Sequence, residues 1–349
     1  MKAAVMTRYA APLEIQQLPA PVPGPRDALI RVAACGICRS DWHLWQRNLV
    51  HLGLDPALPF VPGHEFGGVV EAVGADIHHF TVGERVSVPF HLACGHCEYC
   101  LTGRSNVCLA YGIIGVHHSG GYGQQSVVPN ADVNLVHLPD DVDFVTAAAL
   151  GCRYMTAFHG VGERARLRPG EWVAVFGIGG IGIASVQIAA AMGARVLAVS
   201  RSDDKLQQAK AEGAEATVRA GDDAVAAIKD ITGGGADVTI DALGIPKTVL
   251  PAILALKKSG RMVRMGFTNK EEAGVIALPV DAMTAQELEF IGSWGCPVTS
   301  YPRLLSMVAT GKLNPRRLVD RTVPVEEVSA VLETMTDYRT RGFNVINAW

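Results

Sequence analysis

A glycine-rich turn between two uncharged apolar segments constrains the fold more than any other feature of this chain. Residues 172–176 have the pattern of a buried strand, and residues 183–189 have that of a buried helix. The turn between them, residues 177–182, reads Gly-Ile-Gly-Gly-Ile-Gly. In a strand–turn–helix context this GxGxxG pattern predicts a dinucleotide-binding unit, because the bare backbone and the helix N-terminus accept a pyrophosphate.

Regularly spaced apolar segments after the turn predict the rest of this unit. Helical patterns at Asp203–Glu212 and Ala224–Ile231 separate some of them. The expected strands are Arg195–Ser200, Glu215–Val218, Asp237–Asp241, Arg261–Gly266 and Glu287–Ile291. With the first strand these make six, so we predict an α/β protein containing a Rossmann doubly wound parallel sheet.

The segment from Trp172 to Ala194 also has the length of a membrane span, since it carries no charge. It contains five glycines together with Ser185 and Gln187. We interpret it as a strand, a turn and a buried helix, and expect no membrane contact.

Four of the eight cysteines predict a metal site. Cys94, Cys97, Cys100 and Cys108 lie within fifteen residues. Zinc favours four thiolates in a closed tetrahedron, and such a site is structural because no coordination position stays open. An iron–sulfur cluster is an alternative that the spacing leaves open.

A second metal site is suggested by residues far apart in the chain. Cys38, His64 and Cys152 each have polar or glycine-rich surroundings, although each alone is more typical of a buried structural side chain. Together, two thiolates and one imidazole leave a fourth zinc position free for a substrate or water, as catalytic zinc sites require.

The second predicted strand of the nucleotide unit bears on the cofactor. NAD-binding units usually carry an acidic residue at its end to bind the ribose 2′-hydroxyl, but here the strand ends in Ser200 and Arg201. Ser200 is able to bond a 2′-phosphate, and Arg201 and Lys205 supply positive charge. We therefore favour NADP over NAD, although Asp203 and Asp204 follow directly.

Composition excludes several classes of function. The chain has 349 residues, a net charge of −3, 49% hydrophobic and 19% charged residues. This is the composition of a folded globular protein, and it lacks the positive charge of a nucleic-acid-binding protein. The N-terminal apolar run is too short for a secretion signal, so we expect a reducing, cytoplasmic location.

These motifs together closely resemble the zinc-dependent alcohol dehydrogenases of the medium-chain dehydrogenase/reductase superfamily, over nearly the whole chain. The segment Gly63-His64-Glu65-x2-Gly68-x5-Gly74-x2-Ile77 matches the zinc signature of that family. The resemblance implies a GroES-like, β-rich catalytic domain formed by residues 1–152 and 292–349, and a dinucleotide-binding Rossmann domain formed by residues 153–291.

The resemblance also implies roles around the metal. Cys38, His64 and Cys152 would hold a catalytic zinc, and the four clustered cysteines a structural one, so that each chain binds two. Glu65 resembles a family glutamate that lies close to the metal and binds it transiently. Asp41 would orient His64 through its second ring nitrogen.

Further roles concern the proton, the cofactor and the substrate. Ser40 and His43 resemble the proton relay of the family, and Arg39 its pyrophosphate contact. The remaining implied cofactor contacts are Thr156, Gly177, Gly179, Gly180, Ile181, Gly182, Leu243, Met265 and Gly266. The implied walls of the substrate pocket are Trp45 and Phe90.

The implied function is hydride transfer between a primary or secondary alcohol and NAD(P), with zinc polarising the substrate oxygen. A polyol-type dehydrogenase of the same superfamily is one alternative, and a non-enzymatic zinc- or nucleotide-binding protein is another. The expected partner is a small alcohol, aldehyde or ketone. The compact chain also resembles the tetrameric branch of the family more than the dimeric one, so we expect a homo-oligomer.

Overall fold

The computed structural model describes residues 1–268, 272–337 and 340–349. The chain forms two compact units. Unit 1 contains residues 1–155 and 296–349, and unit 2 contains residues 156–295. The functional assignment of the units, with the boundaries given above, stays a prediction.

Strands and helices alternate through unit 2. In unit 1, several strands follow one another directly, and short helices separate the others. The strands in the described part of the chain are β1 (Lys2–Val5), β2 (Glu14–Gln17), β3 (Ala28–Ile37), β4 (Glu65–Val73), β5 (Arg85–Val88), β6 (His91–Leu92), β7 (Gly112–Ile113), β8 (Gln125–Val128), β9 (Val136–His137), β10 (Trp172–Phe176), β11 (Arg195–Ser200), β12 (Ala216–Arg219), β13 (Ala236–Asp241), β14 (Leu256–Arg264), β15 (Glu289–Gly292), β16 (Val319–Pro324) and β17 (Phe343–Ala348). The α-helices there are α1 (Arg39–Trp45), α2 (Glu98–Leu101), α3 (Ala131–Asn134), α4 (Phe144–Ala149), α5 (Met155–Phe158), α6 (Gly180–Ala191), α7 (Asp203–Ala211), α8 (Ala224–Thr232), α9 (Pro246–Leu254), α10 (Val280–Ala285), α11 (Tyr301–Ala309) and α12 (Val328–Thr336).

Unit 2 is built on a six-stranded parallel sheet. Its strand order is β12-β11-β10-β13-β14-β15, and each neighbouring pair is parallel. This is the doubly wound arrangement that the sequence predicts. The strand order reverses between β10 and β13, where such folds bind ligands at the carboxyl ends of the strands.

The uncharged segment 172–194 has the structure expected of it. All five residues of β10 are buried, and the glycine turn leads directly into α6, whose residues 182–189 are buried throughout. In the described ranges of the chain, no helix has both the length and the apolar character needed to cross a membrane.

Two strands, β14 and β15, differ most from the bounds expected from sequence, while β12 and β13 are offset by one residue. We expected β14 to begin at Arg261, but it begins at Leu256, which is buried opposite Ala236. Residues 257–260 form a bulge in which Lys257, Lys258 and Ser259 are exposed and Ser259 is left-handed. The start of the strand therefore has no apolar pattern in the sequence. We also expected β15 to begin at Glu287, but that residue is left-handed and the strand begins at Glu289.

Unit 1 contains a seven-stranded sheet in which β3 pairs with β4, β8 and β17. The β3–β4 pair is close, since a Cβ on Gly68 would lie 2.1 Å from the carbonyl oxygen of Arg31. Gly36, near the end of β3, pairs with Glu65 at the start of β4. The residues that follow β3 and precede β4 therefore lie side by side.

Candidate metal centre and cofactor site

The β3–β4 pairing positions the first two predicted ligands. Cys38 is the single residue between β3 and α1 and is the N-cap of that helix, and His64 precedes β4 directly. The third predicted ligand, Cys152, lies in the helical turn Leu150–Tyr154 that follows α4. Ligand atoms of Cys38, His64, Glu65 and Cys152 all lie within 4.8 Å of one another. The structure thus brings the predicted set together.

Asp41 holds the His64 ring in place. The Nδ1 atom of His64 is 2.8 Å from Asp41 Oδ1, and both side chains are buried. The backbone N–H of Cys38 donates to Asp41 Oδ2 at 2.8 Å, and the hydroxyl of Tyr122 donates to the same oxygen at 2.9 Å. With its second ring nitrogen engaged, His64 has Nε2 left for a ligand.

The donor atoms fit a zinc ion. Among the described residues, His64 Nε2 is buried and has no hydrogen-bond partner. A buried polar atom of this kind is costly unless a ligand satisfies it. Two sulfurs and one imidazole nitrogen match the open type of zinc site.

The predicted relay residues lie on α1 beside these ligands. Ser40 Oγ is 3.7 Å from Cys38 Sγ and 3.9 Å from Cys152 Sγ. His43 lies one turn further along the helix, and within the described chain its buried Nδ1 has no hydrogen-bond partner. Burial, reinforced by the charge of Arg39, lowers the pKa of His43 to about 4. The imidazole is therefore neutral at pH 7.

Glu65 forms a buried ion pair with Arg153. Oε1 accepts from the backbone N–H and from Nε of Arg153, at 3.1 and 3.0 Å, and Oε2 accepts from Nη2 at 2.5 Å. Burial raises the pKa of Glu65 to about 7, and the guanidinium opposes this rise. The carboxylate is thus close to the metal ligands but held by a cation of the chain itself.

Three other predicted contacts in unit 1 have fixed surroundings. The Phe90 ring lies edge-on to His64, with centroids 5.8 Å apart. Trp45 is buried, and its indole N–H donates to the Ala11 carbonyl at 2.6 Å. Arg39 stacks on the Trp42 ring, with its guanidinium carbon 4.1 Å from the ring centroid, and also donates to the Met335 carbonyl.

The four clustered cysteines form a compact sulfur group. Sγ–Sγ distances are 3.5 Å for Cys97–Cys100, 3.8 Å for Cys97–Cys108 and 3.9 Å for Cys94–Cys100. Two sulfurs at about 2.3 Å from a tetrahedral zinc lie about 3.8 Å apart. The backbone N–H of Leu109 lowers the pKa of Cys97 to about 6, which favours the thiolate that a metal binds.

In unit 2, the loops after β10, β13 and β14 meet at the carboxyl ends of these strands. Gly177 has a φ of 90°, and a Cβ there would lie 2.4 Å from Leu243 Cγ. A Cβ on Gly266 would lie 2.4 Å from the Gly244 nitrogen. Around Gly179 there is space, because a Cβ there would have no atom of the described chain within 4 Å apart from its immediate neighbours in sequence. The open space at Gly179, beside the start of α6, suits a phosphate group.

The other predicted cofactor contacts of unit 2 occupy various positions. Thr156 lies on α5 and Met265 follows β14, and both side chains are buried. Gly180, Ile181 and Gly182 begin α6. A Cβ on Gly182 would lie 1.9 Å from the Gly177 carbonyl oxygen, so this position requires glycine.

The end of β11 carries no acidic side chain. Ser200 is buried, and its hydroxyl accepts from the backbone N–H of Ser202 at 3.3 Å, while Arg201 is exposed. Lys205 is half-buried on α7. Both carboxylate oxygens of Asp203 accept from Arg219 at 2.8 Å, which offsets the negative charge of that residue.

Comparison with known proteins identifies the family. Residues 24–140 match the model of the alcohol dehydrogenase GroES-like domain, and residues 180–310 match that of the zinc-binding dehydrogenases. The chain is 33% identical to an alcohol dehydrogenase of Geobacillus stearothermophilus over 98% of both chains. It is 34% identical to an alcohol dehydrogenase of Rhizobium meliloti (strain 1021), over 99% of this chain and 98% of that one.

The chain belongs to the zinc-dependent alcohol dehydrogenases of the medium-chain dehydrogenase/reductase superfamily. Its structure superposes on the alcohol dehydrogenase TADH from Thermus sp. ATN1 with a TM-score of 0.91 and 31% identity, over the full length of both chains. The family confirms the predicted GroES-like and Rossmann fold class and the predicted enzyme class.

Sequence reasoning missed three residues that the structure places at these sites. They are Tyr122, which bonds Asp41, Arg153, which bonds Glu65, and Asp241, which accepts from the N–H groups of Leu243 and Gly244 after β13. Asp241 had a recognisable signal, since it ends a predicted parallel strand. Arg153 directly follows Cys152, but its partner lies 88 positions away in the chain.

Proposed function

We propose that the enzyme transfers a hydride between a small primary or secondary alcohol and NADP, with one zinc in the Cys38–His64–Cys152 site and another among the four clustered cysteines. This proposal rests on one observation in the described part of the chain. Two buried sulfurs lie close to a buried imidazole nitrogen that has no hydrogen-bond partner there. When bound, zinc would polarise the substrate oxygen, and the nicotinamide would carry the hydride.

The side chains of α1 supply the proton path. Ser40 Oγ lies against two ligand sulfurs, so its hydroxyl is placed to accept a proton from an alcohol bound beside them. His43 is neutral near pH 7, so it has the capacity to take this proton further. Phe90, packed on His64, gives the substrate position an apolar border.

The preference for NADP rests on charge at the end of β11. Ser200 replaces the usual acidic residue, Arg201 is exposed, and Asp203 is neutralised by Arg219. A 2′-phosphate would meet a hydroxyl and a cation there, whereas a 2′-hydroxyl would lack its usual carboxylate partner.

Initial rates at 340 nm, measured with primary, secondary and polyhydric alcohols and with each cofactor, test this proposal. We expect turnover of simple alcohols with NADP+ preferred, and loss of turnover in Cys38→Ala. Turnover confined to polyols would favour the polyol alternative. Full activity of Cys38→Ala would contradict the assignment of the metal site.

One pair of variants separates the cofactor assignment from the reaction. Arg201→Ala should lower kcat/KM for NADP+ at least about tenfold, as expected for losing a charged hydrogen bond, and leave that for NAD+ nearly unchanged. Arg195→Ala is the matched control, because Arg195 begins the same strand at its opposite end. An unchanged cofactor ratio in Arg201→Ala would contradict the NADP preference.

The tetrameric state and the cytoplasmic location are further parts of the proposal. Sedimentation equilibrium of the zinc-loaded protein tests the tetramer, since a mass of two chains would replace it by a dimer.

A further inference from the structure

Arg153 is a buried residue that is neither a predicted metal ligand nor part of the proposed proton path. It follows Cys152 directly and is only 6% exposed. Its backbone N–H, Nε and Nη2 all donate to the carboxylate oxygens of Glu65. Glu65 in turn follows His64 directly and is fully buried. Each partner of the pair is therefore the chain neighbour of a metal ligand.

The surroundings of this pair are closely packed. A Cβ on Gly36 would lie 2.3 Å from Glu65 Oε2, and one on Gly151 would lie 2.4 Å from Glu65 Cβ. The Phe343 ring covers the guanidinium, with its centroid 3.9 Å from the guanidinium carbon. Two glycines and one aromatic ring thus form a cradle fitted to the ion pair.

Glu65 is also a competent ligand by position. A carboxylate oxygen of Glu65 lies within 4.8 Å of the donor atoms of Cys38, His64 and Cys152. A carboxylate is a good zinc ligand, and a buried one without a cationic partner is strongly disfavoured. If Arg153 were absent, a metal held by those three donors would offer this carboxylate a cationic partner.

We propose that Arg153 is a positioning residue that holds the Glu65 carboxylate off the metal and so keeps the fourth coordination position free for the substrate. This inference rests on the proposed metal site of Cys38, His64 and Cys152. Arg153 acts only through Glu65. Its removal should therefore change the metal site only while residue 65 has a carboxylate that can bind the metal.

Cobalt substitution tests the proposal without relying on turnover. The protein is loaded with Co²⁺, and the absorption bands lost in Cys38→Ser are assigned to this site. Imidazole then serves as a probe of the free position. In Arg153→Met we expect changed cobalt d–d bands and at least tenfold weaker imidazole binding. In the double variant Glu65→Gln/Arg153→Met we expect both properties to return toward those of the wild type.

A second ion pair provides the matched control. Arg261 makes two bonds to Glu171 in unit 2, at 2.7 and 3.1 Å, and both side chains are mostly buried. Arg261→Met should lower the melting temperature and leave the cobalt bands and imidazole binding unchanged. If Arg153→Met behaves in the same way as this control, Arg153 is a structural residue and the proposal is wrong.

Arg153→Lys keeps the test decisive if Arg153→Met does not fold. Lysine retains the charge but makes fewer bonds, so we expect a smaller shift of the same bands and intermediate imidazole binding. A folded Arg153→Lys with wild-type bands and wild-type imidazole affinity would overturn the proposal. Wild-type protein without Cys38-dependent cobalt bands would instead overturn the metal site itself.

Discussion

At the scale of single residues, a chain of hydrogen bonds lies behind the predicted metal ligands. Asp41 accepts from Cys38, His64 and Tyr122 with both oxygens engaged. It therefore fixes one ligand by its backbone and another by its ring. Tyr122 in turn limits how Asp41 can turn, and it packs where a side chain on Gly63 would stand.

This arrangement predicts graded effects on metal affinity. Asp41→Asn should weaken zinc binding about 10- to 100-fold, since its amide no longer anchors the His64 ring as a carboxylate does. Tyr122→Phe should weaken it less, because Asp41 keeps two donors. Competition with a chromogenic chelator measures both.

Tyr301→Phe is the control for Tyr122→Phe. Tyr301 is also fully buried in unit 1, and its hydroxyl bonds Ser87 at 3.0 Å. We expect this variant to lose stability but to keep zinc affinity. Equal zinc affinities for Tyr122→Phe and the wild type would show that Tyr122 does not support the metal centre.

His43 predicts a pH dependence of stability. Its pKa is about 4 in the folded protein, against 6.5 for the ordinary imidazole, because burial disfavours the charged form. The unfolded chain therefore binds the proton first, and stability present above pH 6.5 is lost as the pH falls toward 4. The loss is at most about 1.4 kcal/mol per pH unit.

Urea denaturation of the wild type and of His43→Gln between pH 7 and 5 measures this contribution. We expect the free energy of unfolding to fall more steeply in the wild type, because the variant lacks the titrating ring. Parallel curves would mean that His43 is not buried as described.

At the scale of elements, the glycine turn separates positions that shape the fold from one that leaves room for a ligand. Gly182 allows α6 to approach the Gly177 carbonyl, while Gly179 borders open space and has a negative φ that other residues can adopt. The same motif thus serves two purposes.

Two alanine variants should separate these purposes. Gly182→Ala should lower the free energy of unfolding by about 2–3 kcal/mol, because the new methyl meets backbone. Gly179→Ala should unfold like the wild type but bind the dinucleotide more weakly, because the methyl occupies the approach to the pyrophosphate. Thermal melting and cofactor titration check both; similar losses of stability would contradict the distinction.

The elements of unit 2 were predictable from sequence because each strand is a short apolar run bounded by polar turns. β10 and β11 follow this rule closely. The start of β14 was not predictable, because Lys257, Lys258 and Ser259 look like a loop although Leu256 already pairs in the sheet. Periodicity cannot reveal a bulge whose residues face away from the core.

In the predicted sites, ligand spacing carries a signal only for the four clustered cysteines, Cys94, Cys97, Cys100 and Cys108. Cys38, His64 and Cys152 were proposed as ligands from their residue types, because two thiolates and one imidazole leave a fourth zinc position free. The Glu65–Arg153 pair was not found, because an ion pair between distant segments leaves no periodic or local pattern. Tyr122 was missed for the same reason, since only folding brings it to Asp41.

At the scale of the whole molecule, the two sets of predicted ligands should each bind one zinc, independently of the other. Intact protein should contain about two zincs per chain, and Cys97→Ser and Cys38→Ser should each contain about one. Only Cys38→Ser should abolish turnover directly. Metal analysis and calorimetry measure the outcome.

Cys296→Ser is the control for both cysteine variants, because Cys296 belongs to neither sulfur group. We expect it to retain two zincs. If the wild type contains a single zinc and Cys38→Ser retains it, only the four-cysteine cluster binds zinc, and the second predicted site is wrong.

The cradle around Arg153 also has a consequence for biosynthesis. Phe343, which covers the guanidinium, begins β17, and β17 pairs with the end of β3 at Gly36. A ribosome translates Cys38, His64 and Cys152 long before it reaches this strand. Phe343 is therefore the last of the residues described around this pair to be synthesised, and the guanidinium is covered only after β17 has emerged from the ribosome.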